Sequence, residues 1–97
     1  MLAVLARIWR SPSLYRNQGL EVRERQGVRT LHLETDTVQS AMRVDAPYAL
    51  ELSYTRAMMA FLLFAPPPSK ALLIGLGGGS VAKFLFRALP QTALQVV

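Results

Sequence analysis

The segment Ala71-Leu72-Leu73-Ile74-Gly75-Leu76-Gly77-Gly78-Gly79-Ser80 constrains the fold more than any other part of the chain. Four apolar residues lead into four glycines within five positions. Val81 to Leu89 then follows with apolar residues at helical spacing, until Pro90. An uninterrupted apolar run of this length fits a strand buried on both faces, as parallel strands are. A second apolar run, Ala93 to Val97, completes the pattern strand, glycine turn, helix, strand, which is the front of a βαβ unit. A plain strand-to-helix turn needs one glycine. Several are needed where the backbone adopts angles closed to other residues and where bare N–H groups must approach a ligand at a helix N-terminus.

Composition narrows the functional classes. The 97 residues are 52% hydrophobic and 18% charged, which is too apolar for a disordered chain and sufficient for one small core. No apolar run reaches the length of a membrane span, because Arg56, Pro66-Pro67-Pro68 and Lys83 interrupt the candidates. The apolar stretch from Met1 to Ile8 contains Arg7 and has no basic leader, so a secretory signal is not expected and a cytoplasmic location is. The absence of cysteine excludes disulfides, thiolate metal sites and a cysteine nucleophile, and a single His32 excludes most zinc constellations, so no metal is expected. The net charge of +5 raises the question of nucleic acid. The nine arginines are nevertheless scattered singly and not interleaved with aromatics, so neither a nucleic-acid nor a membrane partner is expected. All six acids, Glu21, Glu24, Glu34, Asp36, Asp45 and Glu51, precede the glycine segment.

Two regions follow from the patterning, 1–46 and 47–97. In the first, Leu20 to Glu24 alternates apolar and polar, Arg25-Gln26-Gly27 supplies a turn, and Val28 to Leu33 resumes the alternation. A third strand is expected at Thr37 to Arg43, giving an antiparallel meander. His32, between Leu31 and Leu33, falls on the opposite face and is expected to be solvated. In the second region, Asp45-Ala46-Pro47 reads as a helix start. Tyr48 to Phe64 contains no glycine or proline, so a helix of four to five turns is expected there, with Leu50, Tyr54, Ala57, Met58, Phe61 and Leu62 forming an apolar stripe. Pro66-Pro67-Pro68 ends it. The fold class is therefore α+β: a meander, a long helix and the start of a Rossmann-like unit.

Three nucleotide motifs compete for the glycines. A Walker loop requires Gly-Lys-Ser/Thr, and Gly79-Ser80-Val81 lacks the lysine. A dinucleotide fingerprint would place Ser80 where Gly or Ala is expected. The spacing Gly75-x-Gly77-x-Gly79 instead resembles the first motif of the class I S-adenosylmethionine-dependent methyltransferase fold. Together with Val38-Gln39-Ser40-Ala41-Met42 and Leu52-Ser53-Tyr54-Thr55-Arg56-Ala57-Met58-Met59, in this order and spacing, it resembles the N-terminal part of the spermidine synthase (polyamine aminopropyltransferase) family and its spermidine synthase-like relatives. The resemblance covers roughly residues 20 to 97.

What the resemblance implies is a β-strand domain joined to a Rossmann-like domain that binds decarboxylated S-adenosylmethionine and transfers an aminopropyl group to an amine; a homodimer or higher oligomer is expected separately, because two parallel strands with one connecting helix leave apolar surface uncovered. By resemblance Gly75, Gly77, Gly78 and Gly79 line the cofactor, and Gln39 and Tyr54 stand at the family's glutamine and tyrosine. Two departures change the substrate expectation. Gly78 occupies the position of the aspartate in the family's Gly-Gly-Gly-Asp-Gly, and Thr55 and Arg56 replace His or Gln and then Glu, so an anionic pocket becomes neutral to cationic. A polycationic acceptor needs carboxylates to desolvate it. The alternatives are a methyltransferase of the same fold using intact S-adenosylmethionine, and a non-enzymatic dimerisation module. The ribose-binding acid and the catalytic base of the family lie beyond Val97, so the catalytic residue is unknown. The chain reads as the N-terminal third of a transferase and is expected to be inactive alone.

Overall fold

The computed structural model describes residues 12–97. The expectations placed on Met1 to Ile8, Trp9 and Arg10 lie outside the described residues.

Four antiparallel strands in sequence order form the first sheet: β1 (Ser13–Asn17), β2 (Leu20–Arg25), β3 (Val28–Leu33) and β4 (Val38–Arg43). The expected hairpin and third strand are present, and β1 precedes them. Both leading turns are Gln-Gly pairs with positive φ at each residue, 47° and 82° at Gln18-Gly19 and 50° and 76° at Gln26-Gly27. This is the backbone that matches the twist of a two-residue hairpin. Register places Glu21 opposite His32 and Arg23 opposite Thr30 on one face, and Val22 opposite Leu31 and Leu20 opposite Leu33 on the other. On that second face Glu24 and Arg29, also cross-strand partners, form an ion pair at 2.8 Å.

The polar face is not open to water, which corrects the expectation for His32. It is 1% exposed, the lowest value among the buried residues described, with Nε2 2.9 Å from Thr30 Oγ1. Alternation correctly assigned its face, but periodicity carries no information on whether a polar face is covered. Here Arg23 lies beside it, 7% exposed, donating from Nη2 to Glu21 Oε2 at 3.0 Å and Asp36 Oδ1 at 2.8 Å. Arg16 reaches Glu21 Oε1 at 2.9 Å. The Arg23 hydrogen bond, and then that of Arg16, hold the Glu21 carboxyl at about 2, well below its ordinary 4.5.

The long helix is replaced by two short pieces. Helix α1 spans Ser53–Met58 and continues as a 3-10 turn over Met59–Leu63. Asp45 does not cap it, because its Oδ1 accepts from Arg43 Nε at 3.3 Å, and Ala46 is bridged to Arg43. The carbonyls that a continuous helix would use are diverted to a side chain: Arg56 donates from Nε to Leu50 O at 2.8 Å and from Nη2 to Glu51 O at 2.9 Å. Leu52 therefore stays extended, with φ −78° and ψ 134°, and the helix starts only after it. The prolines at 66–68 preclude any continuation, and the last turn tightens to 3-10.

Strand β5 (Lys70–Leu73), helix α2 (Ser80–Ala88) and strand β6 (Ala93–Val96) form a β-α-β unit with parallel strands, Lys70 opposite Ala93 and Leu73 opposite Val96. Strand β5 ends one residue before Ile74 and is not buried on both faces: Leu72 is 62% and Ile74 81% exposed. Among the described residues only β6 adjoins it in the sheet, and α2 packs against β6 and β4. The buried apolar side chains, Ala41, Leu50, Leu85 and Leu89, come from β4, the segment before α1, and α2.

Two stability outcomes follow. A Cβ at Gly27 meets nothing within 4 Å, whereas one at Gly19 would stand 2.6 Å from Glu34 Cγ. Gly27→Ala should cost about 1–2 kcal/mol from left-handed strain alone, and Gly19→Ala measurably more. The excess should vanish in a Glu34→Ala background when read by denaturant unfolding; equal losses without that coupling would be inconsistent with the packing. The second outcome concerns acid. Because the folded pKa of Glu21 lies below its unfolded one, its contribution is complete above about 4.5 and is lost as pH falls through about 2. The melting temperature should fall across that window, and less steeply for Glu21→Gln.

Candidate functional site

Three elements converge at the glycine turn. Residues 74–79 leave β5 and enter α2 with φ of 84° at Gly75, 57° at Gly77 and 82° at Gly79, so the three glycines at alternate positions all hold left-handed angles. Gly75 N–H is used by Val97 O at 2.6 Å and Gly79 N–H by Leu76 O at 3.0 Å. The N–H groups of Gly77 and Gly78 have no hydrogen-bond partner among the described residues. A Cβ on Gly75 or Gly77 would enter open space, so the turn has room for a ligand beside its backbone.

Strand β4 approaches this turn with an irregular register. Leu31 pairs with Ser40 but His32 with Val38, so Gln39 is an extra residue, a β-bulge. The bulge lets consecutive residues Gln39, Ser40 and Ala41 line one cavity, which strict alternation would forbid. This was not foreseeable from the sequence, which shows only polar residues in a strand pattern.

The turn is fastened to β4 by hydroxyls. Ser80 Oγ donates to Ala41 O at 3.3 Å and lies 3.0 Å from Ser40 Oγ. Since a hydroxyl has one proton, Ser40 is the donor between the two. Lys83, one turn further along α2, places Nζ 3.0 Å from Met42 Sδ. Gly78 sits against this contact, and a Cβ there would meet Ser40 Oγ at 2.5 Å and Ser40 Cβ at 2.9 Å. A side chain at position 78, an acid included, thus requires Ser40 to give way.

The cavity beside the turn is about 270 Å³, partly open, and is completed by Leu52 at the N-cap of α1 and by Tyr54, Thr55 and Met58 within it. Of the six residues expected at a cofactor, Gln39, Tyr54, Gly75, Gly77 and Gly78 line it. Gly79 does not: it is buried and forms the N-cap of α2. Thr55 is also buried, its hydroxyl donating to Leu52 O at 2.5 Å. Arg56, expected to make the pocket cationic, is absent from the lining because the carbonyls of Leu50 and Glu51 hold it. Among the described residues no charged side chain lines the cavity, whose polar groups are hydroxyls, one amide and backbone.

The chain is similar to polyamine aminopropyltransferases. It is 50% identical to that of Chromobacterium violaceum over 72 residues, which is 74% of this chain and 28% of the relative. The identity to that of Neisseria meningitidis serogroup A is also 50% over 72 residues, 73% of this chain and 27% of the relative. For Vibrio vulnificus it is 46% over 44 residues, 45% of this chain and 15% of the relative. The chain thus spans between a quarter and a third of the length of the first two relatives. The similarity supports the spermidine synthase-like family for the matched segment. No family model matches the chain. No solved structure matches it. Among the described residues no helix is long and apolar enough to cross a membrane.

The docking contact makes a local prediction. Gly78→Ala should destabilise the chain by roughly 1–3 kcal/mol, the range for overpacking a tight site. Ser40→Gly in the same chain should recover most of the loss, because it removes both the Oγ and the Cβ in the way; Ser40→Ala should recover less. Equal recovery by both, read in urea unfolding, would mean that only the hydroxyl obstructs.

Proposed function

We propose that the glycine turn, with Gln39 and Tyr54, forms part of a site for an S-adenosylmethionine-type cofactor in a spermidine synthase-like group-transfer protein, and that the β-α-β unit is the start of a Rossmann-like, methyltransferase-type domain. The observation that carries this reading is the set of left-handed Gly75, Gly77 and Gly79 between parallel strand and helix, with unpaired N–H groups at Gly77 and Gly78 facing a neutral, hydroxyl-bearing cavity. Such a lining suits the hydroxyls and ring of a nucleoside, which carry no net charge. Backbone N–H groups accept a polar ligand without the desolvation that a buried charge would need. The names of the relatives support decarboxylated S-adenosylmethionine as the donor, with an amine as acceptor.

In this reading Gly77 and Gly78 offer backbone N–H donors, Gln39 its amide and Tyr54 its exposed ring. The bulge at Gln39 aims the amide, and the Ser40–Ser80 contact fixes the distance between β4 and the turn. The cofactor's sulfonium centre supplies an electrophilic carbon. The residues here bind and orient it, and none of the described ones lining the cavity is a general base. A second reading, methyl transfer from intact S-adenosylmethionine, is favoured by one observation: no carboxylate lines the cavity to receive a cationic acceptor. Exposed apolar residues on the meander, Leu14, Tyr15 and Leu33, support an oligomer in which we propose the meander as the contact between copies.

Calorimetric titration of the whole protein with decarboxylated and with intact S-adenosylmethionine tests the proposal. Binding of the decarboxylated form should dominate, and Gly77→Val should weaken it by at least tenfold, because a β-branched residue resists positive φ and projects into the cavity. Preference for the intact form would select methyl transfer. No affinity for either, or a Gly77→Val protein that binds normally, would overturn the assignment.

A further inference from the structure

The face of the meander turned away from the glycine turn carries a second cavity, about 310 Å³, lined by Arg16, Glu21, Arg23, His32, Glu34 and Asp36, with Gly19 and Thr35. Strand alternation separates the two faces: Glu21, Arg23, Thr30 and His32 are on this one, whereas Leu31 and its partner Ser40 face the turn.

Two of its most buried groups are incompletely satisfied. Arg23, 7% exposed, uses Nη2 for Glu21 and Asp36, while its Nη1 has no partner among the described residues. His32, 1% exposed, uses Nε2 for Thr30, while its Nδ1 has none. Buried donors and acceptors are almost always paired, so two beside one cavity mark a place where a polar occupant would gain hydrogen bonds once the side chains covering them shift. Across the cavity Glu34 is held at φ 58°, an angle disfavoured for its side chain, by donating its N–H to Gly19 O at 2.6 Å. Its Cγ rests where any side chain at Gly19 would stand, and its carboxylate has no hydrogen-bond or ion-pair partner among the described residues. A glycine and a strained glutamate thus combine to place a free carboxylate on the lining of the cavity that the buried Arg23 also lines.

The occupant must present an acceptor to Arg23 Nη1 and a donor to Glu34. A simple anion would meet Glu21, Glu34 and Asp36, three carboxylates against two guanidiniums. A simple ammonium would leave Arg23 Nη1 unpaired. We propose that this cavity binds the amino-carboxylate group of a small zwitterion, an amino acid by chemical class, with its carboxylate on the Arg23 and His32 side and its ammonium on Glu34. The volume lies at the lower end of the range for ligand sites, which suits a small molecule. The site is separate from the glycine turn and stands whether or not the cofactor reading does.

The test is an NMR titration of the whole protein with glycine and L-alanine, against acetate and methylammonium as the separate halves of the zwitterion. Glycine or L-alanine should give saturable shifts at the amides of Arg23, His32 and Glu34, with at least tenfold tighter binding than acetate or methylammonium. Glu34→Gln, an exposed position that leaves the Arg23 ion pairs intact, should weaken zwitterion binding at least tenfold with the melting temperature preserved. If that variant destabilises the chain, Glu34→Asp provides the second measurement, and it should retain a preference for the zwitterion over acetate. Acetate binding as tightly as glycine would overturn the proposal in favour of an anion site. The absence of saturable shifts with every probe would overturn it in favour of water at the two orphaned groups.

Discussion

The contact between Ser40 and Ser80 is the interaction on which the arrangement of this chain depends. The meander and the β-α-β unit share few buried apolar side chains, and no covalent link other than the chain itself joins them. Two hydroxyls, one carbonyl and the flat face of Gly78 set the distance between β4 and the glycine turn. A hydroxyl pair is individually weak, on the order of 1 kcal/mol net. Its effect here is geometric: the backbone of a glycine can approach a serine side chain more closely than any other residue could, and the cavity is the space left beside that approach.

Much of this was legible from the residues. Alternation gave the hairpin and its faces because a period of two is imposed by strand geometry itself. The strand, glycine turn, helix and strand pattern gave the β-α-β unit, and the glycines at 75, 77 and 79 do hold the angles that motivate them. Strand β1 was missed although its signal was present, since Gln18-Gly19 repeats the Gln26-Gly27 turn eight residues earlier. The remaining differences have no local signature. The bulge at Gln39 is a property of how two strands register, not of one strand's sequence. The burial of His32 depends on Arg23, Glu21 and Asp36 assembling over the same face, and Asp36 comes from a turn outside the strands.

The broken helix shows how one side chain overrides a propensity argument. Nothing in Tyr48 to Phe64 forbids a helix. Arg56 nevertheless folds back to bind the carbonyls of Leu50 and Glu51, which ties its guanidinium to the non-helical segment just before α1. The consequence reaches the cavity twice. Starting α1 at Ser53 sets Tyr54 and Thr55 in its first turn, beside the glycines, and tethering the guanidinium keeps the positive charge out of the lining. A substitution that in sequence looks like a change of pocket charge is, in structure, a change of backbone path.

Charge is then segregated by face. Three of the acids are used on the meander, where Glu21 and Asp36 are committed to Arg23 and Glu24 to Arg29. The cavity at the glycine turn contains none. A cationic ligand approaching that cavity meets hydroxyls and backbone dipoles, which solvate a charge far less well than a carboxylate at the same distance. On the proposed reading the same elements suit the uncharged nucleoside part of a cofactor and leave a cationic acceptor without a counter-charge among the described lining residues. Introducing a carboxylate at position 78 would mean displacing Ser40, the residue that holds the turn in place. The lining of the cavity and the docking of the two halves are coupled through a single glycine.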